Sequence, residues 1–133
     1  RYCMPHSCRG ARAESAANLV QEEEMSGFFD PSKIERRELV PGITLRIMWG
    51  DKVMMSMVEI APHAVLPPHT HPHEQAGLVL EGEFEFTIGD EKREMGPGDA
   101  YIIPGGVEHT LVASDGWALA LDIFSPPREE YKS

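Results

Sequence analysis

Positive charge and cysteine are the two things this chain is short of. Its 133 residues carry 12 Lys and Arg against 22 Asp and Glu, a formal net charge of -10. That balance repels a polyanion, so nucleic-acid partners are set aside. The only two cysteines, Cys3 and Cys8, flank His6. A Cys-x4-Cys pair can close a disulfide or supply half a zinc site, and no second pair stands by to complete one. No apolar run approaches the ~18 residues of a membrane span, and the first residues lack the apolar centre of a secretory signal. The expectation is a cytoplasmic protein with no membrane partner.

Turn residues, by contrast, are plentiful. With 11 Pro and 12 Gly in a chain that is 41% hydrophobic, short strands joined by turns are favoured over long helices. The first 30 residues stand apart as an extension. Within them residues 11–24, rich in Ala and Glu, read as a partly helical or flexible segment whose only apolar contribution is Leu19 and Val20. From residue 31 to 133 the chain reads as one domain. Ile43, Leu45, Ile47 and Trp49 alternate onto one face. The next run, Val53 to Ile60, is apolar on both faces, and its methionines are read as packing. Leu78 to Leu80, a turn at Glu81-Gly82 and the strict alternation of Phe84, Phe86 and Ile88 predict a hairpin. Short strands follow at Lys92–Met95 and Ala100–Ile103, and another begins at His109. In the last one Trp117, Leu119, Leu121 and Ile123 share a face suited to a core or partner surface. The opposite face, Ala118, Ala120, Asp122 and Phe124, is small enough to line a cavity. The fold class is therefore all-β, a sandwich or barrel of the kind that binds ligands in its mouth.

The chemistry concentrates in His69-Thr70-His71-Pro72-His73-Glu74-Gln75, entered through Pro67-Pro68. On an extended backbone alternate side chains share a side, so His69, His71, His73 and Gln75 would face one way. Two imidazoles on one face can grip one ion, and neutral imidazole suits zinc, copper, iron and nickel. A His-rich surface loop is the plain alternative.

Two spacings decide between them. His69-x-His71, three residues, Gln75, six residues, Gly82 resembles the first motif of the cupins, and Gly98, five residues, Pro104-Gly105-Gly106, two residues, His109 resembles the second. Three positions depart from the family pattern: its opening Gly is His63, its closing Asn is Ala113 and its ligand Glu is Gln75. The resemblance implies a jelly-roll barrel holding one divalent transition-metal ion, nickel, zinc, iron or manganese, on His69, His71, Gln75 and His109. Glu74 falls on the opposite face, and His73 becomes a neighbour or mouth residue. An amide in place of a carboxylate leaves the site about one charge more positive, which favours polarising a carbonyl or anchoring an anion.

The closing stretch, Asp122-Ile123-Phe124-Ser125-Pro126-Pro127-Arg128, is similar to that of single-domain cupins that include the KdgF-type enzymes, which linearise unsaturated uronates. By that resemblance Asp122 and Arg128 are the catalytic candidates, with Phe124 contacting substrate; Tyr101 and His73 are further substrate-binding candidates. It implies a metal-dependent isomerase or lyase acting on a small anionic sugar acid. A non-catalytic metal and small-ligand module, sensor or carrier, and a cupin dioxygenase are the alternatives. Cupins commonly pair through barrel faces, so a homodimer is expected.

Overall fold

Alternating sequence becomes strand here wherever one face can be buried. The computed structural model describes residues 27–132, so the helical reading of residues 11–24 and both cysteines lie outside the described residues. Residues 27–34 belong to a separate unit, whose described part is one short 3-10 turn, Pro31–Lys33, capped by the Asp30 carboxylate accepting from the Ser32 amide at 3.1 Å. All the strands lie in the unit Glu35–Ser133. In chain order they are β1 (Arg37–Val40), β2 (Ile43–Trp49), β3 (Met54–Ile60), β4 (Val65–His69), β5 (Glu74–Glu81), β6 (Phe84–Ile88), β7 (Glu91–Met95), β8 (Ala100–Ile103), β9 (His109–Ala113) and β10 (Ala118–Ser125).

Six strands form one antiparallel sheet in the order β1-β2-β3-β10-β5-β8, and four form a second in the order β4-β9-β6-β7. Ile43, Leu45, Val58 and Val79 of the larger sheet pack in one core with Phe84, Phe86 and Leu111 of the smaller. This is the all-β jelly-roll barrel expected from the sequence. Among the described residues no helix is long and apolar enough to cross a membrane.

Two local features differ from the sequence reading for physical reasons. The Pro67-Pro68 segment, read as a lead-in, is part of a strand. Proline has no N–H to give to a ladder, and β4 sits at the edge of its sheet, pairing only with β9 and breaking register between Leu66 and His69. Trp117, placed with the large face of the last strand, lies one residue before β10 begins and is 59% exposed. The inward row of β10 holds as expected: Ala120, Asp122 and Phe124 line the cavity between the sheets.

Candidate metal centre and acid pocket

Three imidazoles converge from two strands and a turn. His69 ends β4 and His109 begins β9, and the two are cross-strand partners. His71 sits in the turn between β4 and β5, so the histidines do not share one strand face. Their ligating nitrogens all lie within 4.8 Å of one another. The turn is held from below: the Gly106 amide donates to the His71 carbonyl at 2.8 Å, and a Cβ at Gly105 would collide with the Pro72 carbonyl. This is why the second Gly-rich turn must accompany the first histidine pair.

Each ring is aimed by its own backbone. Nδ1 of His69 bonds the Pro67 carbonyl at 3.0 Å, Nδ1 of His109 the Val107 carbonyl at 2.9 Å, and Nδ1 of His71 the His73 carbonyl at 3.1 Å. A carbonyl only accepts, so each Nδ1 carries the proton and each Nε2 keeps its lone pair, the arrangement that prepares imidazole for metal. Nε2 of His109 is buried and has no hydrogen-bond partner among the described residues. Burial holds His109 down at about 4, and burial, with the Arg128 charge second, lowers His71 below its ordinary value. Both rings stay neutral at pH 7, the form a metal requires.

Gln75, on β5, joins this cluster to the opposite wall. Its Oε1 lies 3.1 Å from Nε2 of His71, while its amide is hydrogen-bonded to the Asp122 carboxylate. The carboxylate must accept, so the amide N–H faces Asp122 and the oxygen faces the ring lone pair. Two lone pairs then confront one another beside the orphaned nitrogen of His109, and a cation between them reconciles all three. The donor set therefore fits a divalent ion.

Across the cavity the inward positions of three neighbouring strands line up. Asp122 of β10 faces Gly77 of β5, which faces Tyr101 of β8. Gly77 has a specific job here: a Cβ on it would run into the Tyr101 ring, so its absence lets the phenol lie across β5 and reach Asp122. The Tyr101 hydroxyl donates to Oδ1 of Asp122 at 2.6 Å. Burial pushes the Asp122 carboxyl from 3.8 up to about 6, against the Tyr101 and Gln75 hydrogen bonds, which favour its ionised form. Burial, then the Asp122 charge, drives the Tyr101 phenol well above its usual 10, so it remains a donor.

Arg128 follows the last strand, with its side chain 11% exposed. Its Nη1 donates to the Tyr131 hydroxyl at 2.9 Å, and Nε and Nη2 donate to Oε2 of Glu130 at 3.1 and 2.8 Å. The guanidinium carbon lies 4.2 Å from the centre of the Tyr131 ring. Tyr131 is tied down in turn by Nη1 of Arg37 donating to its carbonyl at 2.7 Å. Among the described residues three of the five guanidinium N–H groups are thus engaged, leaving two for a ligand.

The likeness reaches beyond these side chains. Residues 56–124 match the family model described as the cupin domain. The chain belongs to the cupin family. This cupin is 35% identical over 109 residues to the pectin degradation protein KdgF of Dickeya dadantii, a match covering 80% of this chain and 99% of that protein. A shorter match, 40% identical over 77 residues, is to the H2HPP isomerase of Bacillus subtilis and covers 56% of this chain and 32% of that one. Among solved structures, KdgF from Halomonas sp. aligns with a TM-score of 0.74 at 34% identity, covering 80% and 98% of the two chains.

One cavity of this cupin is lined by His69, His109, Gln75, Tyr101, Asp122, Phe124 and Arg128, with Leu45, Leu66 and Leu111 among its apolar walls. His73 is not among its lining residues; its ring lies 5.6 Å from that of His71. Glu74 is exposed. Residues that the sequence reading did not single out also meet here: Ser56 and Tyr131 line the cavity, and Glu130 grips Arg128. Alternation along β3 could have flagged Ser56 as the one hydroxyl in an inward row of Met54, Val58 and Ile60.

Proposed function

We propose that this cupin is a metal-dependent isomerase or lyase that opens the ring of a small unsaturated uronic acid. The observation that carries the reading is a carboxyl raised to about 6, Asp122, lining one cavity with histidines of the cluster and the Arg128 guanidinium. Relatives named for pectin degradation and for isomerase activity support the same direction.

His69, His71 and His109 would hold the ion, with the Gln75 amide oxygen as fourth ligand. When bound, a divalent ion would supply Lewis-acid polarisation of a substrate oxygen, and the neutral Gln75 amide would leave its charge uncancelled where a carboxylate ligand would reduce it. The remaining roles belong to the chain. Arg128 pairs the substrate carboxylate through its two unengaged N–H groups. Phe124 packs on the sugar-acid ring, while His73, behind His71, supports the cluster from the mouth. Opening a cyclic hemiacetal removes the anomeric hydroxyl proton as the bond from anomeric carbon to ring oxygen breaks; the former ring oxygen becomes an enol, which ketonises as its hydroxyl loses a proton and the far carbon of the double bond gains one, so the conjugated double bond is lost. Asp122 takes the first proton and can return it at the product oxygen, so no atom is gained or lost. Tyr101 orients that carboxyl and stays protonated.

The test is metal-loaded protein with unsaturated galacturonate or mannuronate, following loss of the conjugated double bond's absorbance. Wild type turns over; Asp122→Asn keeps its metal by elemental analysis and loses turnover by about 100-fold or more. An active Asn variant removes Asp122 from the mechanism. The homodimer belongs on the outer face of the larger sheet, where Met55, Ile123, Ala76 and Ile102 stand in one cross-strand row on four adjacent strands. Ile102→Lys should then shift the sedimentation mass to a monomer.

A further inference from the structure

We propose that Ser56 is a substrate contact that selects polyhydroxylated acids over plain ones. This rests on the uronic-acid reading above and narrows it to one hydroxyl-recognising residue. Ser56 is 1% exposed, and its Oγ has no hydrogen-bond partner among the described residues. It lies on β3 directly opposite Asp122 of β10, about 5 Å between Cα atoms for such a pair, and it lines the same cavity as His69, His109 and Arg128. Its partner on the other side is Ile47 of β2, and its inward neighbours along the strand are Met54 and Val58, none with a polar side chain. Asp122 is engaged by Tyr101 and Gln75.

A hydroxyl buried without a partner is unfavourable, and alanine would fill the same space without that cost. The arrangement is favourable only in a complex that supplies the missing partner. An acid held at Arg128 with its reacting carbon beside Asp122 presents its neighbouring substituent to the next strand, where Ser56 stands. A ring hydroxyl there can both donate to and accept from Oγ; a methylene can do neither and would leave the hydroxyl orphaned. Discrimination by an unpaired polar group in the wrong complex is the stronger form of specificity.

The experiment compares metal-loaded wild type with Ser56→Ala by titration calorimetry. The probes are galacturonate and cyclohexanecarboxylate, two ring acids that differ in their hydroxyls. Wild type should prefer galacturonate. The alanine variant should bind galacturonate tenfold or more weakly, with cyclohexanecarboxylate unchanged within twofold. Ligand-free Ser56→Ala should melt at or above the wild-type temperature. Equal galacturonate affinity in the two proteins, parallel losses for both acids, no acid binding by wild type, or a lower melting temperature for the ligand-free variant would each overturn the assignment. The two readings fail separately: a Ser56-dependent preference in a protein that leaves unsaturated uronates unchanged keeps the contact and discards the reaction.

Discussion

Asp122→Asn should stabilise the metal-free protein while destroying its activity, and the gain should depend on pH in a defined way. Burial raises the Asp122 carboxyl from 3.8 to about 6, so the native state binds this proton more tightly than the unfolded chain does. Stability contributed by the neutral form is complete below about pH 4, and it is lost as pH rises through about 6. Above that the folded protein carries a buried carboxylate at a cost of about 3 kcal/mol relative to the unfolded chain. An amide carries no such cost. It still accepts the Tyr101 hydroxyl, but it meets the Gln75 amide donor to donor, and that returns about 1 kcal/mol. The net expectation is a gain of about 2 kcal/mol at pH 8, or several degrees in Tm, that crosses zero between about pH 4 and 5 and turns into a small loss below. Thermal unfolding of both proteins in chelator from pH 4 to pH 8 reads this directly. A stability difference that stays flat across that range refutes a carboxylate held ionised against burial.

Gly77→Ala forces the Tyr101 ring off β5 and should cost about 1–3 kcal/mol in urea unfolding, with turnover falling because Asp122 loses its orienting donor. His63→Gly acts in the opposite sense. His63 has φ +66°, and its ring lies 3.8 Å from the Asp115 carboxylate with both side chains largely exposed, so glycine should add about 1 kcal/mol to stability and leave turnover unchanged. Removing the metal with a chelator should lower the Tm of wild type and leave that of His109→Ala unmoved, since the variant has lost one of three converging imidazoles.

Much of the fold was legible because alternation is a local signal. β2 and β6 read directly as strands, since their inward residues are apolar and their outward ones, Met48 apart, polar or charged. The inward row of β10 was legible for the same reason, through its small residues. β4 was not, because its prolines argue against a strand everywhere except at a sheet edge, and being at an edge is decided by the whole topology. The site divides along the same line. His69, His71, Gln75 and His109 could be picked out by spacing, yet alternation suggested one shared face for the first three, whereas the structure draws those three from β4, a turn and β5. The Tyr101 contact with Asp122 depends on a missing Cβ at Gly77, three strands before Tyr101 in chain order. The isolation of Ser56 depends on what its neighbours lack, and no reading of β3 alone contains that.

The departure from the family pattern at position 75 now carries two arguments instead of one. From sequence, an amide matters because it leaves the ion's charge uncompensated. In the structure it matters as much for the side that faces away from the histidines. Gln75 presents an acceptor to Nε2 of His71 and a donor to Asp122, which an ionised carboxylate cannot do. A carboxylate there would bring a second negative charge beside Asp122, removing a hydrogen bond that favours its ionised form and adding repulsion that opposes it. The Asp122 carboxyl would then rise further above 6 and spend neutral pH protonated, unable to take a proton. On the proposed reading, Gln75 thus lets one cavity hold both a metal site and a base. Its neighbours on β10 and β8 are arranged to use that: Asp122 at the facing position, and Tyr101 lying over Gly77 to hold it.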